Sequence, residues 1–124
     1  MEPTLLCVAM EPGRVMRLSL LALSMGIQVK EIKEESWGQP LGALCGLDQE
    51  RPHPPRVKVG EEMLVMAFFP DPLMDGLLKA LRSSGLGPVR LKAVLTPTNR
   101  GWHCGALYTA LRQEAAAMAG GERA

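Results

Sequence analysis

The side chains best equipped for chemistry in this 124-residue chain gather in one stretch. Lys92 lies in an apolar run, Thr96, Thr98 and Asn99 follow it, and Trp102 precedes His103-Cys104. The run reads as a strand, and the segment after Trp102 reads as a helix. Loops that leave the carboxyl end of a strand and enter a helix form ligand crevices in open α/β sheets. Two hydroxyls and an amide there can hydrogen-bond a ligand, and N–H groups at a helix start favour an anion. Lys92, with Arg90 beside it, suits an acidic ligand. Lys92, Thr96, Thr98, Asn99 and Trp102 are therefore the candidate ligand-binding set. The same residue types have plainer uses. Thr98 or Asn99 can cap the helix, Trp102 can fill the core, and Lys92 with its counterpart Lys30 can mark a solvated sheet face.

His103-Cys104 raises the question of a nucleophile or a metal ligand. A tetrahedral site needs four donors, and beside its carboxylates the chain offers His53, His103, Cys7, Cys45 and Cys104. Adjacent residues on a helix point different ways. The sequence has no closely spaced His pair, no nucleophile elbow and no G-x-x-x-x-G-K phosphate loop. No metal, no cofactor and no catalytic set is expected. The leading expectation is a non-catalytic, regulatory module that binds a small molecule or a protein. A small enzyme is the alternative, with Lys92 as charge stabiliser and Cys104 as nucleophile. A structural protein that dimerises through an exposed sheet edge is the third reading.

Composition narrows the partners. Fourteen basic and thirteen acidic residues leave a net charge of +1. That field is too weak to draw in a polyanion or an anionic membrane, which argues against a nucleic-acid or membrane partner. Three cysteines, an odd number without C-x-x-C spacing, and no opening signal segment point to a reduced, cytoplasmic setting. Aromatic residues make up 4% and Met accounts for eight positions, so Leu, Val, Met and Ala must fill the core. The length suits one domain, over residues 1–119.

Hydrophobic spacing supplies the elements that must hold these side chains. Residues 4–10 read as a buried strand. Pro12 opens a helix with Val15, Leu18, Ala22 and Met25 on one face. Leu20, Leu21 and Leu23 widen that stripe, so this helix should be covered on more than one side. Gly26 ends it, and residues 27–32 form a second strand. A short helical turn follows near Leu41–Leu44. Residues 46–61, with Pro52, Pro54 and Pro55, read as a connector. Residues 62–68 form a strand, and Asp71 is expected to be the N-cap of a helix carrying Met74, Leu77, Leu78 and Leu81. Residues 89–95 form the next strand. The last helix ends in a tail, 120–124, that should fray.

The two halves, 4–45 and 62–118, share this plan. Leu5–Met10 is matched with Met63–Phe68, Gln28–Ile32 with Arg90–Val94, and Trp37 with Trp102. The expected fold is α+β: two βαβ(α) pseudo-repeats in one sheet, related to the ferredoxin-like split βαβ sandwich. A small, mostly parallel α/β sheet is the competing architecture.

Lys92-Ala93-Val94-Leu95-Thr96, Asn99 and Trp102 together form a K-A-V-L-T-x-x-N-x-x-W pattern before a C-terminal helix. With Phe68 and the Leu77–Arg82 helix, this resembles DUF3783, a family of small bacterial and archaeal proteins known as a domain of unknown function. The likeness covers about residues 62–118. It implies no activity, cofactor or partner. His103-Cys104-Gly105 departs from the better helix formers expected after the Trp.

Overall fold

The computed structural model describes the backbone of residues 1–123 and side chains as far as Met118. Every residue of strands β1 (Thr4–Val8) and β3 (Met63–Ala67) is buried, as continuous apolar runs covered on both faces must be. These two strands form the centre of one four-stranded sheet. Strand β2 (Gln28–Ile32) lies outside β1, and β4 (Leu91–Val94) lies outside β3, giving the order β2-β1-β3-β4. Each outer pair is parallel and the central pair is antiparallel. The fold is α+β with a single mixed sheet. Two of the three strand pairings are parallel, as in the mostly parallel alternative, while the central one is antiparallel. Each helical crossover joins adjacent strands, so neither half is the split βαβ of the ferredoxin-like arrangement.

Helices α1 (Pro12–Leu23) and α3 (Asp71–Ser83) cover one face of the sheet. Leu18, Ala22, Leu77 and Leu81 meet Leu5, Cys7, Leu64 and Met66 there. On the other face, the one-turn helix α2 (Leu41–Leu44) and the long α4 (Cys104–Arg123) pack Leu41, Cys104 and Leu107 against Leu6, Val8, Met63 and Val65. Burying each of these Leu, Val or Met side chains contributes about 1.5–3 kcal/mol before chain entropy is counted. The tail expected over 120–124 falls on the last turn of α4 and on Ala124, which lies outside the described residues.

The helix starts differ from expectation in one place. Glu11 caps α1, its carboxylate accepting the Gly13 N–H at 3.0 Å and the Arg14 N–H at 3.3 Å. At α3 the cap position belongs to Pro70, which has no side-chain acceptor, and Asp71 is the first helical residue. Its charge acts there on the helix dipole rather than through a capping bond.

Side-chain alternation corrects the strand matching by one residue. Leu5 and Met63, matched from sequence, point to opposite faces of the sheet, whereas Leu5 and Leu64 share one. The same slip affects the lysines. Lys30 pairs with Leu6, and Lys92 pairs with Leu64, so the two ammonium groups leave the sheet on opposite sides. A shift of one residue inverts every side chain in a strand, and short apolar runs carry little to pin the register.

Candidate functional site

The loop 96–102 folds around its own amide. Asn99 is 8% exposed. Its Oδ1 accepts the Thr96 N–H at 2.9 Å, its N–H donates to Thr96 Oγ1 at 3.1 Å, and its Nδ2 donates to the Val94 carbonyl at 3.0 Å. All the polar groups of the Asn99 side chain are thereby engaged within the loop. Leu95 donates its N–H to Met66 on β3, so neighbouring Val94 turns its carbonyl to the open side of β4. Asn99 thus also covers the outer edge of that strand.

The loop clasps the other half of the chain. The Arg100 carbonyl accepts the Gly42 N–H and the Trp102 carbonyl accepts the Leu41 N–H, both at 2.8 Å. These donors belong to the first turn of α2, which has no side-chain cap of its own. The Trp37 carbonyl in turn accepts the N–H of Cys104, the first residue of α4, at 2.9 Å. The Arg100 guanidinium forks onto the Asp48 carboxylate, with Nε at 3.0 Å from Oδ2. That contact holds the Asp48 carboxyl below its ordinary pKa. Gly42 lets the segments close up, since a Cβ there would lie 1.9 Å from Asp48 Oδ2.

The two tryptophans do different work. Trp37 is half-buried against the α2–α4 core, and its Nε1 donates to the Ile32 carbonyl at 3.1 Å. Trp102 leaves 37% of its surface in water. His103, considered above as a metal ligand, caps α4 instead. Its Nδ1 accepts the Ala106 N–H at 3.0 Å. Neither Thr98 nor Asn99 fills that role. The three thiols are buried and unpaired. Burial pushes Cys7 and Cys104 up to about 12, with the carboxylates of Glu31 and Glu62 adding to the effect at Cys7. Cys45 is raised as well, again chiefly by burial. Thiols in this state make poor nucleophiles. The sheet separates Cys104 from Lys92. Among the described residues no group of three or more His, Cys, Asp or Glu could hold a metal. No described helix is long and apolar enough to cross a membrane.

The five candidate residues do not share one recess. Thr96 borders a shallow depression of about 300 Å³ with Phe68, Phe69, Leu95, Pro97 and Arg100 at the carboxyl ends of β3 and β4. Lys92 belongs to a larger groove of about 530 Å³ between α3 and β4. Its apolar lining is Leu78, Leu81, Pro88 and Val89, and its cations are Arg82 and Lys92. Lys92 Nζ donates to the Val89 carbonyl. Among the described residues neither cation enters an ion pair. Sequence reasoning picked out Lys92 but missed Arg82, whose position on the helix above Lys92 follows only once α3 is docked. The signal was there in outline: Leu78, Leu81 and Arg82 lie at helical spacing on one side of α3.

A third recess, of about 410 Å³, lies between Glu34-Glu35 and the connector residues Pro54–Val57. The connector is held there by Gln39, whose amide exchanges hydrogen bonds with the Arg51 backbone at 2.7 and 3.0 Å.

No curated protein and no solved structure matches the chain. A family model matches residues 62–118, the segment that holds β3, α3, β4, the Asn99 loop and the start of α4. The matching model is DUF3783, a domain of unknown function.

Proposed function

We propose that this protein is a non-catalytic binding module that takes a small anionic molecule with an apolar body in the groove between α3 and β4. One observation carries the reading: two cations that enter no ion pair among the described residues stand over an apolar floor in a groove of about 530 Å³. That volume falls in the range of small-ligand sites, which pair an apolar lining with a few orienting polar groups. Arg82 offers a planar fork and Lys92 a point charge, a combination suited to a carboxylate or sulfate. The buried, protonated thiols favour binding over nucleophilic chemistry, and three unpaired cysteines fit a reduced, cytoplasmic setting.

The test is calorimetric titration with decanoate and octyl sulfate, and with decyltrimethylammonium as the charge-reversed control. Saturable one-to-one binding of the anions only, weakened at least about tenfold in Arg82→Gln/Lys92→Gln, is expected for a charge-assisted contact. Absence of saturation by either anion, or equal binding of the cation, would overturn the reading.

The same proposal takes the two halves as diverged copies of one unit. Support comes from backbone positions that carry no composition bias. Ala9 and Phe68, each directly after a central strand, both have positive φ, at 55° and 64°. Left-handed non-glycine residues are uncommon. At the same spacing stand Leu18 with Leu77, Gly26 with Gly85, and Ile27 with Leu86. From β2 onward the spacing widens by Gly87–Arg90, pairing Gln28 with Leu91 and Gly42-Ala43-Leu44 with Gly105-Ala106-Leu107. On this alignment Lys30 answers to Ala93, and Trp102 answers to Gln39.

A further inference from the structure

Strand β4 is an edge of the sheet, and no described strand lies beyond it. In a parallel ladder alternate residues turn their backbone groups to the neighbour. Leu95 donates its N–H to Met66, so Leu91 and Ala93 face β3 while Lys92 and Val94 face outward. Asn99 Nδ2 occupies the Val94 carbonyl. That leaves the Val94 N–H and both backbone groups of Lys92 on the open side, available to an added strand. The side chains of Lys92 and Val94 are exposed and lie on the α3 face, as those of their ladder partners Leu64 and Met66 do. The groove of about 530 Å³ opens on that same face, and Lys92 belongs to both features. Among the described residues the groove lining holds two cations and no carboxylate. The other edge, β2, differs. Lys30 there reaches the Leu44 carbonyl at 3.5 Å on the opposite face, and Lys33 is paired with Glu31 at 2.6 Å.

We infer that edge and groove together take an extended acidic segment of another protein, added to the sheet antiparallel to β4, an assignment that rests on the groove binding anions as proposed above. Strand addition draws its affinity from main-chain bonds and its specificity from alternate side chains. The open backbone of β4 favours a polyamide over a free amphiphile, because only a chain of amides meets its donors and acceptor in turn. The groove then selects among peptides by charge. A residue directly opposite Lys92 exchanges two backbone bonds with it and sets its side chain on the α3 face. A Glu at that point lies beside Lys92, in the groove that Arg82 also lines. The peptide residues two before and two after it share that face. The first meets Val94, and the second reaches toward Leu81 and Pro88 on the apolar floor. The preferred segment is therefore apolar-x-Glu-x-apolar. A second copy of this chain suits the edge poorly, since two grooves that hold cations without carboxylates would be brought together.

The test is an NMR titration of the full chain, with isotope-labelled amides, against acetyl-Val-Thr-Glu-Thr-Leu-amide. Saturable binding is expected, with the Lys92 and Val94 N–H signals moving further than those of Leu91 and Ala93. Two control peptides separate the contributions. One carries Lys in place of Glu, and the other is N-methylated at the Glu amide that would donate to the Lys92 carbonyl. Each is expected to bind at least about tenfold more weakly, the first for want of a charge-assisted contact and the second for want of a main-chain bond. Decanoate is titrated beside them. Decanoate binding without peptide binding would overturn the inference and leave the anion groove standing, as would equal binding of the N-methylated peptide. Failure of both ligands would remove the groove as well. Shifts at Lys92 and Val94 that follow protein concentration alone would put a second copy on the edge and overturn the inference too.

Discussion

Thr96 and Asn99 each donate a backbone N–H to the other's side chain, at 2.9 Å to Asn99 Oδ1 and 3.1 Å to Thr96 Oγ1. The pair closes the loop between β4 and α4. Asn99 Nδ2 donates in addition to the Val94 carbonyl at 3.0 Å. The loop is rigid because its amide is consumed, and for the same reason it offers a ligand little beyond the exposed hydroxyls of Thr96 and Thr98.

Asn99→Ala is expected to destabilise the protein by about 2–4 kcal/mol, since it removes one partner from several bonds in a largely buried loop. Thr98→Ala, at an exposed position whose hydroxyl has no hydrogen-bond partner among the described residues, is expected to stay within about 0.5 kcal/mol. Urea unfolding of the two variants checks this. A small effect at Asn99 would mean that water replaces its contacts.

Gly42→Ala and Gly38→Ala should both be costly but should respond differently to relief. A Cβ at 42 meets a side-chain oxygen, Asp48 Oδ2, at 1.9 Å, whereas a Cβ at 38 meets the Pro55 backbone carbonyl at 1.9 Å. Removing the side chain in Asp48→Ala is expected to recover part of the Gly42→Ala loss, because the two residues are coupled. Asp48→Ala should recover none of the Gly38→Ala loss. Thermal melts of the three single and two double variants give the coupling.

Acid should weaken the ion pairs first. Asp48 and Glu61 have carboxyl groups held below their ordinary pKa by hydrogen bonds from Arg100 and Arg90. A depressed carboxyl contributes stability that is present above its unfolded pKa and is lost as pH falls through the folded one. Both pairs are exposed, so the effect is small and screened by salt. Stability in low salt is expected to fall below about pH 4, where free carboxyls protonate, and to fall less steeply in Asp48→Asn. Unfolding curves from pH 2 to 7, a span of about five units around that point, test it.

Base should act through the thiols. The folded pKa of Cys7 and Cys104 is pushed from 9.0 up to about 12. A raised pKa means that the stability is complete below the unfolded value and is lost as pH rises toward the folded one. Stability is therefore expected to decline above about pH 9, and the decline should shrink in Cys7→Ala, compared at matched starting stability. At pH 8 the native thiols are expected to resist a disulfide reagent that labels all three after denaturation, a contrast set by burial. Rapid native labelling would show that the core opens.

Some of this was legible in the residues and some was not. Continuous apolar runs announced β1 and β3, and Leu77 with Leu81 announced the buried face of α3. The register was hidden, because a strand apolar on both faces lacks the alternation that would separate Leu5–Leu64 from Leu5–Met63. The candidate site was half legible. Lys92 stood out, but its partnership with Arg82 depends on how α3 lies over β4, a tertiary fact. Asn99 marked an important position, although its importance lies in holding the loop rather than in reaching a ligand. The role of His103 was not legible for a related reason: an imidazole before a helix can accept an N–H as well as bind a metal, and nothing local to the sequence chooses between them.

The crossed carbonyls of Trp37 and Trp102 have a consequence for how the chain can be cut. Each supplies the acceptor for the first N–H of the helix in the opposite half, Cys104 in one direction and Leu41 in the other. Severed within the proline-rich connector, neither piece would own the acceptor for the first N–H of its own α2 or α4, and each would bare the inner edge of β1 or β3. The pieces should be poorly ordered apart and should recover native structure when mixed, behaving as complementary fragments rather than as two small domains on a string.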